Sequence, residues 1–286
     1  MDPVSIGVIG GSGLYEMDGL SDVSEVYPDT PFGKPSDSIT VASMDGQRLA
    51  FLPRHGKGHR LLPSEVPSRA NIAALKLMGV EKIISFSAVG SLREQYAPRH
   101  FVLPDQLIDR TRHRPDTFFG DGIVGHVGFA DPLANGLGQL LHDAMDGMDI
   151  ERHHKGTLVC MEGPLFSTRA ESELYRGWGA DLINMSALPE AKLAREAGIE
   201  YGLVCMVTDY DCWHSDHADV DIQMVIANLT ANAGNAKQLL RRALPAVAAA
   251  PRDESIAKAS EFAVITAPEL RPPETLARLK GIIDGL

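Results

Sequence analysis

Short apolar runs alternate with longer amphipathic stretches along most of the chain. The length of these runs, their β-branched residues and the small or polar residues that end them are typical of buried strands. On this pattern we predict strands at residues 4–10, 48–53, 82–87, 101–108, 156–161, 181–184 and 201–208. These strands are sufficient for a central β-sheet.

The longer stretches between the strands predict helices. In one of them Ile72, Leu75 and Met78 recur at three-residue spacing, as on one face of a helix, and Gly79 follows as a C-terminal cap. We predict helices at residues 68–78, 132–145, 168–178, 189–197, 219–247 and 273–283. The alternation indicates an α/β fold with a central mixed β-sheet flanked by helices. We expect one domain over residues 1–286, on which residues 251–286 pack as a C-terminal extension.

Composition and charge exclude several classes of partner. The net charge of −11 provides no overall basic field for nucleic acid or an anionic membrane. No apolar stretch approaches the roughly 20 residues that span a bilayer, and the first residues lack a signal-peptide pattern. Cys160, Cys205 and Cys212 lie in or beside apolar runs, which predicts buried free thiols and no disulfide framework. We therefore expect a cytoplasmic protein without nucleic-acid or membrane partners.

The first predicted strand ends in GVIGGSGL, where glycines surround Ser12. Glycine lets the backbone approach a ligand closely, and successive amides in such a turn can bind an anion. A dinucleotide-binding turn needs G-x-G-x-x-G, but the frame from Gly11 reads Gly13 and then Glu16. The segment also lacks the lysine of a phosphate-binding P-loop. An anion-binding turn and an ordinary tight turn both remain open for this stretch.

Basic and hydroxyl residues follow three other predicted strands. Arg54 and His55 come directly after the strand at 48–53, which is where open α/β sheets bind ligands. The fork of guanidinium donors suits the oxygens of a phosphate. Small residues with hydroxyl groups end two later strands, at 82–87 and 181–184, in SFSAVGS and INMSALPE. Each segment alone is equally typical of a solvated loop or a helix cap, but together they favour one phosphate pocket.

Two carboxylates follow the last predicted strand, in VCMVTDYDCWH. Carboxylates beside a buried strand are costly unless they are paired or used. Asp209 and Asp211 would suit accepting a hydrogen bond from an amine or, when protonated, donating one to a ring nitrogen. An exposed aspartate has a pKa near 3.9, so burial must raise this pKa for the second role. An Asx turn or helix cap is the alternative interpretation.

Several segments in chain order resemble one known family: GVIGGSGL, DTPFGKPSD, SAVGSLRE, EGPLFSTRAES, GADLINMSALPEAKLAREAGI and TDYDCWH. From about residue 6 to 247 the chain resembles the trimeric purine nucleoside phosphorylases, and among them the branch that acts on S-methyl-5′-thioadenosine. The resemblance implies a pentosyltransferase of methionine and purine salvage that converts this nucleoside and phosphate to adenine and 5-methylthioribose 1-phosphate. It implies no cofactor or metal, inorganic phosphate as co-substrate, and a homotrimer or a hexamer.

The resemblance also implies a role for individual residues. The implied phosphate-binding residues are Ser12, Arg54, His55, Ser87, Ala88 and Ser186. The implied nucleoside-binding residues are Phe166, Ser167, Asn184, Met185, Asp209, Asp211 and His126, the last reaching the pocket of a neighbouring subunit. Asp209 and Asp211 are the implied catalytic groups, at N7 and the 6-amino group of adenine. Phe166, Met185 and either Val220 or Met224 of the long helix are candidates for an apolar pocket around the methylthio group.

Other functions stay open beside this one. The substrate could instead be S-methyl-5′-thioinosine, adenosine or inosine, although an intact Asp209 favours a 6-aminopurine. A nucleotide-dependent dehydrogenase would need the missing third glycine, and a non-catalytic nucleoside-binding protein would need an incomplete phosphate site. Leu165 departs from the arginine that the family commonly has there, and serine replaces threonine at two phosphate positions.

Overall fold

The computed structural model describes residues 4–11, 18–214 and 222–286. Within these residues a mixed β-sheet forms the centre of the fold. Its strands are β1 (Ile6–Gly10), β2 (Ser21–Val26), β3 (Ile39–Met44), β4 (Gln47–Pro53), β5 (Lys82–Ser91), β6 (Phe101–Leu103), β7 (Gln106–Arg110), β8 (Arg152–His154), β9 (Thr157–Met161), β10 (Leu182–Asn184) and β11 (Glu200–Asp209).

Helices pack against the sheet, and the last element of the chain is also a helix. They are α1 (Ser68–Leu77), α2 (Asn135–Ala144), α3 (Arg169–Gly177), α4 (Ala187–Glu196), α5 (Ile222–Ala249), α6 (Glu254–Ala257) and α7 (Pro273–Leu279), with 3₁₀ turns at Pro63–Glu65 and Pro268–Leu270. Among the described helices, none has both the length and the apolar character needed to cross a membrane.

The long strand β5 joins the parts of the sheet. Its first residues pair in parallel with β1 on one side and with β11 on the other. Beyond β1 the sheet continues through β4 and β3 to β2. At its other end, Gly90 and Ser91 of β5 pair antiparallel with β10, which leads to β9 and β7. β11 in turn carries β6 and then β8. The last residues of β5 therefore lie where the branches of the sheet meet.

Two apolar clusters lie on opposite faces of the central strands. One contains Ile72 of α1 and Leu193 of α4, and the other contains Leu141 of α2 and Leu244 of α5. Because helices cover both faces, every residue of β1 and of β11 is buried. Strands covered on both faces read as continuous apolar runs, which is why the sequence reveals them.

The predicted mixed sheet with flanking helices is confirmed, with local corrections. The single strand expected at 101–108 is wrong, because Pro104 separates β6 from β7 and the two pair with different neighbours. Proline lacks the N–H that a continuing ladder needs. β2, β3, β8 and α6 were not predicted; in β2 nearly every residue is exposed, so it carries no apolar run. Cys160 and Cys205 are buried free thiols as expected, but Cys212 is only partly buried.

Candidate active site

The residues that end β4, β5, β10 and β11 enclose a cavity of about 250 Å³. Every residue predicted for the site lines this cavity except Ser12 and His126. Ser12 lies outside the described residues, although Gly11 before it reaches the cavity wall. His126 is exposed, and its backbone N–H donates to Ala263 O at 2.9 Å. Its contact with a neighbouring subunit stays a prediction.

Arg54 follows β4, and its backbone N–H donates to Gly10 O at 3.0 Å, which ties the ends of β4 and β1 together. Its side chain is buried and bonded to protein. Nε donates to Glu190 Oε1 at 2.6 Å, and Nη2 donates to Glu190 Oε2 at 3.0 Å and to Ser85 Oγ at 2.6 Å. Nη1 donates to Phe86 O at 3.0 Å. The fork of donors, which the sequence suggested for a phosphate, is therefore occupied by Glu190, and a contact between Arg54 and phosphate stays a prediction.

His55 contributes a neutral imidazole. Its Nδ1 lies 2.9 Å from the carbonyl oxygen of Leu61, which can only accept, so Nδ1 carries a hydrogen. Burial, together with the positive charge of Arg54, lowers the pKa of His55 to about 4. The ring is therefore uncharged near neutral pH, with Nε2 as a hydrogen-bond acceptor. It stacks on His59, with ring centroids 4.3 Å apart.

Two hydroxyl groups and one amide meet beside Arg54. Ser87 Oγ of β5 lies 2.9 Å from Ser186 Oγ, which directly precedes α4. Asn184 Nδ2 donates to Ser87 Oγ at 3.0 Å, while Asn184 Oδ1 is buried with no partner among the described residues. Ala88 lines the cavity next to Ser87. This end of the cavity thus presents two hydroxyl groups, the first turn of a helix and one side of the Arg54 guanidinium group. All of these are suited to an anion.

Asp209 ends β11 at an irregularity of the sheet. The pairing of β11 with β5 shifts register between Val207 and Asp209, and a bulge of this kind re-aims a side chain. Asp209 Oδ2 accepts from Thr208 Oγ1 at 2.7 Å, and Oδ1 accepts from the backbone N–H of Asp211 at 2.8 Å. Burial nevertheless raises the pKa of Asp209 to about 6. A raised pKa keeps the carboxyl group protonated to higher pH, as a proton donor requires.

Asp211 provides an acceptor at the same end. Its φ of 48° is left-handed, a conformation that aspartate tolerates better than most residues. Asp211 Oδ2 is buried without a hydrogen-bond partner in the described part of the chain, and burial raises the pKa of this carboxyl group. A buried, unbonded carboxylate oxygen suits an amino group of a bound ligand.

The middle of the cavity is mostly apolar. Phe166 is half-exposed at its edge, with Ser167 beside it, and Met185 lies against Gly163, where a Cβ would stand 2.4 Å from Met185 Sδ. Val220 and the side chain of Met224, the helix candidates from the sequence, lie outside the described residues. The same helix, α5, does reach the cavity, through Val225 and Leu229.

Sequence reasoning missed three buried polar residues behind the cavity wall. Glu190 pairs with Arg54, and Tyr201 Oη donates to Glu190 Oε2 at 2.7 Å. Arg114 donates to backbone carbonyls of the segments that follow the neighbouring strands β9 and β10, including Met185 O at 2.7 Å. A signal for Glu190 exists in SALPEAKLA, where a carboxylate stands at the buried start of a helix and needs a cationic partner.

A cavity with anion donors at one end and two buried carboxyl groups at the other, set in a mixed α/β sheet, is typical of nucleoside phosphorylases. The sequence model of the phosphorylase superfamily matches residues 5–245, and the chain belongs to that superfamily. It is 52% identical to the S-methyl-5′-thioadenosine phosphorylase of Gloeobacter violaceus, over 97% of this chain and 94% of that relative.

Solved structures agree with this family. A methylthioadenosine phosphorylase sourced from an Antarctic soil metagenomic library is similar with a TM-score of 0.94 and 48% identity, over 99% of this chain and all of that one. The methylthioadenosine phosphorylase from Schistosoma mansoni in complex with adenine is similar with a TM-score of 0.81 and 36% identity, over 88% of this chain and 95% of that one. The resemblance drawn from the sequence is confirmed.

Proposed function

We propose that the chain catalyses the phosphorolysis of S-methyl-5′-thioadenosine to adenine and 5-methylthioribose 1-phosphate, in methionine and purine salvage. The observation that carries the proposal is the single cavity that joins the anion donors around Arg54 to the carboxyl pair Asp209 and Asp211. The curated relative that is 52% identical is named for this substrate, which supports the choice of nucleoside.

At the anion end, inorganic phosphate is the nucleophile, so the protein needs no side chain that attacks the substrate. Its task is to hold phosphate beneath the anomeric carbon, C1′, of the ribose. The hydroxyl groups of Ser87 and Ser186, the backbone at Ala88 and one edge of Arg54 line that end of the cavity. Ser12 completes the set by resemblance. Neither a cofactor nor a metal is part of the proposed reaction.

At the base end, the bond between C1′ and N9 breaks and its electron pair moves into the purine. The ribosyl group passes through an oxocarbenium-like state while a phosphate oxygen forms the new bond to C1′. Protonated Asp209 donates its proton to N7, so adenine leaves uncharged, and Asp211 accepts a hydrogen bond from the 6-amino group. Because a bound purine excludes water from Asp209, it favours the neutral carboxyl group further.

At the 5′ end, an apolar wall suits a methylthio group better than a hydroxyl group. Phe166, Met185, Val225 and Leu229 form this wall in the described residues. His126 from a neighbouring subunit completes it in the proposed assembly, a homotrimer or a hexamer of two trimers. We also propose that the enzyme acts in the cytoplasm.

Adenine release from S-methyl-5′-thioadenosine, measured with and without phosphate, tests this function. We expect adenine release that depends on phosphate. It should be faster than the release of hypoxanthine from S-methyl-5′-thioinosine or inosine, because Asp211 has to accept a hydrogen bond from an amino group. Adenosine in the same assay measures how strongly the apolar 5′ wall discriminates. Release without phosphate would indicate a hydrolase, and no release from any nucleoside would exclude a catalytic role.

A further inference from the structure

The guanidinium group of Arg54 is almost fully committed to the protein. The Arg54 and Glu190 side chains are only 5% and 2% exposed, and Nε and Nη2 of Arg54 bind the two oxygens of Glu190. The second hydrogen of Nη2 goes to Ser85, and one hydrogen of Nη1 goes to Phe86 O. A guanidinium group has five N–H donors. Among the described residues, the remaining donor is the second hydrogen of Nη1.

Glu190 is equally constrained on its own side. Tyr201 Oη, on β11, donates to Glu190 Oε2 at 2.7 Å and lies 2.9 Å from Ser85 Oγ of β5. Glu190 itself stands in the first turn of α4, the helix that Ser186 precedes. The carboxylate therefore links the Arg54 loop, two strands of the sheet and the helix that begins beside the cavity.

The pairing of Arg54 with Glu190 affects both the net charge at the cavity and the direction in which the free N–H of Arg54 points. Since the positive charge of Arg54 is balanced at close range by Glu190, and His55 is neutral, these residues bring little net positive charge to the cavity. Binding of an anion then depends more on the placement of individual donors than on a general attraction. A bidentate pair also fixes the plane of the guanidinium group, and this plane sets where the free Nη1–H lies.

We propose that Glu190 is a positioning residue for phosphate: it holds the Arg54 guanidinium so that its one free N–H meets the anion. Glu190 itself does not touch the substrate. This inference rests on the proposed function, because it assigns the anion in that reaction. Tyr201 supports the same geometry by donating a further hydrogen bond to Glu190 Oε2.

The substitution Glu190→Gln tests the role. A glutamine side chain has only one acceptor oxygen, so it cannot accept from Nε and Nη2 together, and its NH₂ group would face an N–H or the Tyr201 hydroxyl. We expect the KM for phosphate to rise at least about 10-fold, while the KM for the nucleoside at saturating phosphate changes less than about threefold. Calorimetric titration of the protein with inorganic phosphate alone should show the same weakening.

Asp181→Asn is the matched control. Asp181 pairs with Arg93 at 2.9 Å, and neither residue lines the cavity. This variant should lose stability without a change in the phosphate KM. An equal rise of both KM values in Glu190→Gln, or an unchanged phosphate KM, would overturn the proposal in favour of a merely structural ion pair.

If Glu190→Gln does not fold, Tyr201→Phe provides a second test of the same proposal. It removes one hydroxyl group and leaves the ion pair intact, so we expect the phosphate KM alone to rise about two- to fivefold. An unchanged phosphate KM in this variant would contradict the proposal. Inactive wild-type protein in the presence of phosphate would instead refute the proposed function, and the titration with phosphate alone would then still decide whether Glu190 controls anion binding.

Discussion

Gly90 and Asp209 are partners across β5 and β11, and no side chain fits between them. A Cβ at position 90 would stand 2.9 Å from Asp209 Oδ1 and 3.0 Å from Ile183 Cγ2. Real Cβ atoms essentially never show a contact as short as the first, and the second is tighter than most, so an added methyl group must displace the carboxyl group or the strand. The position of the proposed proton donor therefore depends on a glycine in the neighbouring strand.

The substitution Gly90→Ala should move Asp209 and leave the phosphate end nearly intact. Because a displacement of about 1 Å can cost about 100-fold in rate, we expect kcat/KM for the nucleoside to fall roughly 10- to 100-fold. The KM for phosphate should change little, and overpacking should lower the free energy of unfolding by about 1–3 kcal/mol. Steady-state kinetics and denaturant unfolding measure these quantities.

Gly234→Ala is the matched control for this experiment. Gly234 lies exposed in α5, and a Cβ there would meet nothing within 4 Å. Alanine at this site should leave the kinetics unchanged and stabilise the helix by about 0.5–1 kcal/mol. Wild-type kinetics in Gly90→Ala would show that Asp209 tolerates the displacement and does not need its observed position.

The raised pKa of Asp209 predicts how activity depends on pH. Its neutral form is the donor, and with a pKa of about 6 this form becomes scarcer as pH rises above that value. At saturating phosphate, kcat/KM for the nucleoside should therefore fall about tenfold for each pH unit above the pKa, since this parameter reports the free enzyme. Asp209→Asn should lose this dependence together with about 100- to 10,000-fold of the activity. A flat wild-type profile would argue against Asp209 as the proton donor.

The same carboxyl group should destabilise the fold at high pH. Its pKa in the folded protein, about 6, lies above the ordinary value of 3.8, so its contribution to stability is fully present below the ordinary pKa and is lost as pH rises through about 6. Asparagine cannot ionise, and Thr208 Oγ1, which lies 3.2 Å from Val89 O, can donate there while it accepts from the new amide.

We therefore expect Asp209→Asn to raise the free energy of unfolding by up to about 3 kcal/mol near pH 8 and to change it little near pH 4. Denaturant unfolding of both proteins across this pH range measures the difference. A stability gain that is the same at both pH values would mean that packing, and not ionisation, explains it.

The sequence predicts those parts of the fold and of the site whose signal lies in neighbouring residues of the chain. β11 is buried along its whole length and reads as an apolar run, and Asp209 and Asp211 are conspicuous because they follow it directly. β2 is exposed on most of its residues and leaves no such pattern. Arg54 was found as a polar residue after a strand, but its partner Glu190 is 136 positions away. Only the three-dimensional approach of α4 to β4 shows that the guanidinium fork is occupied by protein.

Arg114 is a second buried guanidinium group. From its contacts we predict that one substitution at this position affects both the stability of the fold and the binding of the nucleoside. It donates to Met185 O and Leu188 O at 2.7 Å each and to Glu162 O at 2.6 Å. These carbonyl groups lie on the segments after the neighbouring strands β9 and β10, so one side chain holds together two segments beside the cavity. Lysine has a single ammonium group and cannot reach all three carbonyl oxygens.

Arg114→Lys should therefore lower the free energy of unfolding by about 2–4 kcal/mol, because buried carbonyl groups lose their donors. Since Met185 is one of the braced residues, the KM for the nucleoside should rise more than the KM for phosphate. Arg99→Lys is the control: Arg99 is exposed and donates from Nε to Asn228 Oδ1 at 3.1 Å, so its loss should cost less than about 0.5 kcal/mol. If Arg114→Lys lowers stability but leaves the nucleoside KM unchanged, the brace supports the fold alone and the position of Met185 is fixed by its other contacts.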